Sequence, residues 1–268
     1  MIARFSHRPA HSIGRRLLDA FRSTFVGGLG KSQRVYFVDI NGQRYKRVLF
    51  GDSALAQTVV DAISTCGEEL MLPKLFHQHE NELWFEFVEG ETLKSDLPAH
   101  REALAQVFAS LYSNKSVLTA LGGHPIHRQL NNDLRFLHEL GFLDPAQHAR
   151  LTSQAETLIP EHAWFGLDYL DPVLKNFVLK DQQAVIIDLE SIGQNALLGT
   201  GIAKSVLHWL NDNERAAFTE RVIELGAPDI RAQMDYAQLV LNTGWIKRKL
   251  LAGKRARTKL ELFDQWLK

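Results

Sequence analysis

β-Branched and aromatic residues crowd two short runs early in the chain, Arg34-Val-Tyr-Phe-Val38 and Arg44-Tyr-Lys-Arg-Val-Leu-Phe50. Between them Asn41-Gly42 supplies the positive φ angles of a tight hairpin turn. Asp52-Ser53 then caps a predicted helix running to about Thr65, with Leu55, Val59, Val60 and Ile63 on one face. A third strand is expected at Leu83-Trp-Phe-Glu-Phe-Val88, ending at Glu89-Gly90. From about residue 98 the period changes. Segments near 98–113, 126–140, 145–158, 201–210, 212–225, 228–242 and 254–267 carry apolar residues three and four apart, as helices do. One interruption falls at 164–190, where Phe177-Val-Leu179 and Ala184-Val-Ile-Ile-Asp188 flank the polar turn Lys180-Asp-Gln-Gln183 and predict a second hairpin. The order implies an α+β, two-lobed fold. Residues 1–92 would form a small β-rich lobe with one long helix, and 93–268 a larger, mainly helical lobe. A ligand is expected in the cleft between them.

Composition mostly excludes. The 268 residues hold a single cysteine, Cys66, so there is no internal disulfide and no CxxC metal or redox motif. No run approaches 18 consecutive apolar residues, and the first residues lack the apolar core of a secretory signal. A soluble, cytoplasmic chain is the expectation. Net charge is zero but uneven: residues 1–34 and 244–268 each carry +6, and residues 35–243 carry −12. Basic ends around an acidic middle point to local contacts with anions, and no nucleic-acid partner is expected. In segment 12–22, Ile13, Leu17, Leu18 and Phe21 share a helical face, with Arg15, Arg16 and Arg22 around it. Such a helix either packs on the small lobe or lies on an anionic membrane surface, here the inner face of the inner membrane.

The chemistry concentrates in Tyr169-Leu-Asp-Pro-Val-Leu-Lys-Asn176 and Ile187-Asp-Leu-Glu190. Phosphoryl transfer to a hydroxyl needs a carboxylate to orient and deprotonate the acceptor, and oxygen ligands for magnesium. Asp171, Asn176 and Asp188 are such a set. Here the sequence resembles the protein-kinase-like superfamily, in its bacterial lipopolysaccharide-core sugar kinase and aminoglycoside phosphotransferase-like branch. Those families carry His-x-Asp-x-x-x-x-Asn, followed some dozen residues later by Asp-x-Glu or Asp-Phe-Gly. The resemblance implies that Asp171 is the catalytic base, Asn176 and Asp188 are magnesium ligands, and Glu190 stands in the next shell. Tyr169 occupies the histidine position.

By the same resemblance, Gly27-Gly-Leu-Gly30-Lys31-Ser32 covers the nucleotide phosphates, with Gly28, Gly30, Lys31 and Ser32 as contacts. Position 25 is Phe, so this is not a Walker A loop. Lys46, in phase with Val48 and Phe50, is favoured over Arg47 as the phosphate-binding cation. The usual helix glutamate that pairs with it is missing, leaving Gln57 and Asp61. The stretch Leu83–Leu93 looks like the hinge, with backbone near Glu86–Val88 facing adenine.

Only about a dozen residues separate Asp188 from the helix near Gly201, too few for a peptide-docking activation segment. The expected activity is therefore ATP- and magnesium-dependent phosphorylation of a saccharide hydroxyl, in lipopolysaccharide core, on a glycolipid or small-molecule acceptor. Two alternatives remain open: a pseudokinase-type binding module, prompted by Tyr169 and the missing glutamate, and a soluble aminoglycoside-like kinase. The pairs His77/His79 and His124/His127 lack a third ligand at metal-binding spacing.

Overall fold

The computed structural model describes residues 33–67, 70–254 and 259–268. The glycine loop 27–32, with its proposed phosphate contacts, and the basic segment 12–22 lie outside the described residues.

β1 (Gln33–Ile40) and β2 (Gln43–Phe50) form the expected hairpin, turning through Asn41 at φ 51° and Gly42 at φ 79°. Two consecutive left-handed residues give the turn whose twist matches that of the flanking strands. β3 (Leu75–His79) and β4 (Glu82–Glu86) complete an antiparallel sheet in the order β1-β2-β4-β3. Helix α1 (Ser53–Thr65) starts where predicted, with Asp52 Oδ1 accepting from Leu55 N at 2.9 Å. Its buried face differs from expectation. Ala56, Val59 and Ala62 pack on the sheet, while Leu55 is exposed. Small residues let the helix sit close to the strands, so the larger apolar side chains flank the contact.

After the short β5 (Glu91–Thr92), α2 (Pro98–Ser113) runs through the middle of the second lobe. It buries Ala103, Leu104, Val107, Phe108, Leu111 and Tyr112. One apolar core joins this helix to Val48, Phe50, Leu83 and Phe85 of the first sheet, and to Phe177 and Ile186. A second core gathers Leu130 and Leu134 of α3 (Pro125–Glu139), Leu151 of α4 (Pro145–Leu158), and Tyr236 and Leu239 of α7 (Met234–Leu251), with Phe263 and Trp266. Asp144 with Gln147, and Asn211 with Glu214 ahead of α6 (Asp212–Glu224), form reciprocal capping boxes.

The second lobe is less helical than its sequence predicts. Besides the expected hairpin of β8 (Phe177–Lys180) and β9 (Gln183–Ile186), it contains a sheet of β6 (Val117–Ala120), β7 (His162–Tyr169) and β10 (Ile192–Leu197) in the order β10-β7-β6. β10 takes up half of the segment between Asp188 and Gly201, antiparallel to β7 and bulged between Gly193 and Ala196. Three helices also shift. α5 spans only Thr200–Ser205 before a tight turn, α7 begins at Met234 rather than 228, and the last predicted helix is reduced to a 3₁₀ turn and α8 (Asp264–Leu267). Gly226 at φ 105° and Pro228 halt the chain before α7 can start.

Gly90, in the expected hinge turn, lies against the hairpin. A Cβ there would come within 2.3 Å of Leu179 O, so only glycine lets β5 pair with β8.

Candidate active site

Three elements converge where the lobes meet. β2 contributes Lys46, whose Nζ donates to Ile187 O, the residue before Asp188. Val48 and Phe50, on the same face of β2, are buried, which aims Lys46 toward the other lobe. Arg47 points the opposite way, pairing with Glu82 and lying 5.5 and 5.6 Å from the ring centres of Tyr36 and Trp84. Of the two, Lys46 is the one that faces the second lobe. Gln57 and Asp61 lie on the exposed face of α1 and bond to each other at 2.7 Å, with Gln57 also accepting from Gln78 at 2.9 Å. The charge of Lys46 also acts on Glu190.

The loop between β7 and β8 carries Asp171 and Asn176. Asn176 Nδ2 donates to Asp171 O at 2.8 Å and to its Oδ2 at 3.3 Å, closing the loop on itself. Asn176 O accepts from Ile187 N at 2.9 Å, Leu170 N donates to Ser191 O at 2.8 Å, and Trp209 Nε1 donates to Pro172 O at 2.6 Å. Buried Tyr169, in the position the resemblance gives to histidine, donates its hydroxyl to Asp188 O at 3.2 Å. It ties the Asp171 loop to the residue proposed to hold metal.

Lys204 of α5 was not singled out from the sequence. Its Nζ lies 2.5 Å from Asp171 Oδ1 and 2.8 Å from Leu170 O, and its side chain is 15% exposed. Partial burial pushes the Asp171 carboxyl up, but Lys204 and Asn176 outweigh it and hold the group below its usual value. Nothing local in the sequence marks this contact, which bridges 33 residues.

Asp168, also missed, explains how α5 is held. The fully buried carboxylate accepts from Tyr112 OH and from Gly201 N, each at 2.9 Å. Tyr112 OH in turn accepts from Gly199 N at 3.0 Å. Burial pushes Asp168 up to about 7, against the hydrogen bonds of Gly201, Tyr112, Tyr169 and Thr200. A carboxyl whose pKa is raised on folding contributes stability while protonated and loses it as pH climbs through the folded value. Stability should therefore fall between about pH 4 and pH 7 in urea titrations, by up to a few kcal/mol. The Asp168→Asn variant should be less stable but flatter across that window. An equally steep decline in the variant would assign the dependence to another group.

Asp188 precedes the 3₁₀ turn Leu189–Ser191, so both its own carboxyl and that of Glu190 sit at the end of the second hairpin. Burial first, then the hydrogen bond and charge of Asp188, push Glu190 up to about 7, with Lys46 opposing. Two carboxylates crowded this way gain from a divalent cation, and magnesium is commonly held by one or two carboxylates plus substrate phosphates. Asp188, Glu190 and the neighbouring Asn176 fit that requirement. Among the described residues no group of three or more His, Cys, Asp or Glu forms a self-sufficient metal site. At the hinge, Glu86 N donates to Lys74 O at 2.8 Å, its carboxylate accepts from Lys180 Nζ at 3.4 Å, and Val88 is partly buried.

The architecture, a β-sheet lobe joined to a helical lobe, is the protein-kinase-like fold. A macrolide 2'-phosphotransferase from Brachybacterium faecium superposes with TM-score 0.60 at 12% identity, covering 87% of this chain and 88% of its own. The choline kinase of Streptococcus pneumoniae gives 0.59 at 12% identity and 96% coverage of both chains. An aminoglycoside phosphotransferase in ternary complex with ADP and hygromycin B gives 0.60 at 15%, covering 89% and 90%. No protein-family model matches the sequence. No curated protein matches it either.

Proposed function

We propose that the chain is an ATP- and magnesium-dependent kinase that phosphorylates a saccharide hydroxyl of lipopolysaccharide core. The observation that carries this is the convergence of Lys46, Asp171, Asn176 and Asp188 on one junction, within a fold shared by phosphotransferases of small hydroxyl compounds. In this role Lys46 neutralises nucleotide phosphates, and backbone near Glu86–Val88 meets the adenine. Asp188, Glu190 and Asn176 hold magnesium, which when bound supplies positive charge to the phosphates.

Asp171 accepts a hydrogen bond from the acceptor hydroxyl and aims its oxygen at the γ-phosphorus. The new P–O bond forms as the bond to the β-bridging oxygen breaks, ADP departs, and the hydroxyl proton passes to Asp171. A carboxylate held below its usual pKa is a weak base. That suits a loose transition state, in which orientation matters more than early deprotonation. Tyr169 does for the loop what a scaffold residue must, so its presence supports an active enzyme over a pseudokinase.

A saccharide is favoured over a peptide because β10 occupies the segment where a peptide would dock. The neighbours named for choline, macrolide and aminoglycoside chemistry keep a soluble small molecule as the second reading of the acceptor. The described residues contain no helix long and apolar enough to cross a membrane, so attachment at the inner membrane would rest on the basic segments.

The test is phosphate transfer from [γ-³²P]ATP to purified core oligosaccharide. The wild type should label the oligosaccharide only with magnesium present, and Asp188→Ala should lose that labelling while keeping its melting cooperativity. Undiminished labelling by the variant would remove Asp188 from the mechanism. A Lys46→Met variant should raise KM for ATP about tenfold or more, with less effect on the acceptor KM. Equal effects on both would make Lys46 structural.

A further inference from the structure

The first sheet has two apolar faces. In the register of β1, β2 and β4, Val35, Val48 and Leu83 share the face that packs with α1. Tyr36, Val38, Ile40, Tyr45, Leu49 and Trp84 share the other. Val38 and Trp84 are each 6% exposed, yet among the described residues they belong to neither apolar core. Tyr45 and Arg47 flank the Trp84 ring, 6.4 and 5.6 Å from its centre, but both stand on the same face. Neighbours within a sheet close a ring's edges more than its outward side. A sheet with one wet face alternates apolar and polar residues. The unbroken runs Val35-Tyr-Phe-Val38 and Leu83-Trp-Phe85 are instead those of strands covered on both sides.

Charge on this outer face balances, with Arg34 and Arg47 against Glu82 and Glu86, and His77 and His79 beside them. Arg47 pairs with Glu82, and Glu86 with Lys180 of β8. What fits the face is therefore an apolar surface and not a charged one. We propose that segment 12–22 of the same chain covers it as a helix, laying Ile13, Leu17, Leu18 and Phe21 over Val38 and Trp84 and turning Arg15, Arg16 and Arg22 to solvent. The chain leads there. Residues 23–32 join the segment to Gln33, where β1 begins, and β1 is an edge strand of this sheet. Eleven residues at helical rise span about 16 Å, and four strands lie about 14 Å across. The ten-residue connection reaches at most about 35 Å, which holds the segment near the face at an effective concentration of about millimolar. Docked this way, the apolar side chains are withheld from a bilayer, and only the arginines are left to meet an anionic surface. The proposal does not depend on the kinase reading.

The test is fluorine NMR on the full chain labelled with fluorotryptophan. Trp84 is the one tryptophan before residue 93, and its signal is assigned by its loss in Trp84→Phe. A nitroxide is attached at Ser23→Cys in a Cys66→Ser background, which leaves a single thiol. It should broaden Trp84 and leave Trp245 and Trp266, which pack in the second core, sharp. Leu17→Asp with Leu18→Asp should abolish the broadening, and Arg15→Gln with Arg16→Gln should preserve it. Unchanged Trp245 and Trp266 signals check that each variant is folded. Phosphatidylglycerol vesicles should leave the broadening in place.

An unbroadened Trp84 signal would overturn the proposal. So would relief by vesicles, which would give the apolar side chains to the membrane, or equal loss in the arginine pair, which would make the contact ionic. Mixing nitroxide-bearing chain that lacks fluorine with fluorinated chain that lacks nitroxide should broaden nothing. Broadening in that mixture would overturn docking within one chain, because a second copy would then supply the segment.

Discussion

Asp171→Asn should bind ATP and magnesium as the wild type does and lose phosphate transfer by about 10³-fold. The amide keeps the size of the carboxylate, its one oxygen can still accept from Lys204, and Asn176 keeps its 2.8 Å bond to the backbone oxygen of residue 171, so the loop should hold its shape. What it loses is a charge able to take the acceptor proton and to aim the hydroxyl. Lys204→Met should also slow transfer, because Asp171 loses the cation that fixes it 2.5 Å away and regains an ordinary carboxylate's freedom. The two residues act as a unit, so the double variant should be little worse than Asp171→Asn alone. Rates multiplying in the double variant would mean that Lys204 works independently of Asp171. An Asp171→Asn enzyme within about tenfold of wild type would discard Asp171 as the base.

Gly201→Ala should cost stability on a scale unusual for one methyl group. A Cβ at Gly201 would lie 2.3 Å from Tyr169 O, 2.6 Å from Asp168 Oδ1 and 2.9 Å from Phe108 Cε1. Two of these are a backbone oxygen and a fully buried carboxylate, neither able to yield, and the third is a core ring. Either α5 lifts off the end of β7, or the Asp168 hydrogen bonds break. Overpacking of this kind costs about 3 kcal/mol or more, which in a chain of this size lowers Tm by about 6–12 °C. Because Lys204 rides on the same short helix, activity at low temperature should fall even where the variant is fully folded. A variant with native Tm would show that the strand end can give way.

How much of this the sequence exposes depends on how local the cause is. The β1–β2 turn is legible because Asn41-Gly42 encodes its own backbone angles. The start of α1 is legible because Asp52 caps it from three residues away. Asp171, Asn176 and Asp188 are legible as a spaced set, since two of them share a single loop and the third ends the next hairpin. The β6-β7-β10 sheet is not. β6 has four residues, with Val117 and Leu118 exposed, and its partner in β7 begins some forty residues later. Periodicity within a window carries no trace of such a pairing. Lys204 and Asp168 escape for the same reason: an ordinary helix lysine and an ordinary strand aspartate become special only when α5 folds back against β7. The rotation of α1 is not legible from its large apolar residues, because close helix–sheet contact selects the small Ala56 and Ala62.

The pairing of β10 with β7 has a consequence for timing. Enzymes switched by ordering a loop after their metal-binding residues keep that loop melted in one state. Here the same stretch shares a ladder with the strand that delivers Asp171, with Ile192 opposite Tyr169 and Leu197 opposite Phe165. Releasing it would break the strand beneath the Asp171 loop, so the opening needed for such a switch approaches the unfolding of the lobe. Amide hydrogens of Ile192 and Leu197 should then exchange with those of β7 in one cooperative event. On the proposed kinase reading, this segment would stand ready whenever substrates are present, with output set by their supply rather than by its release.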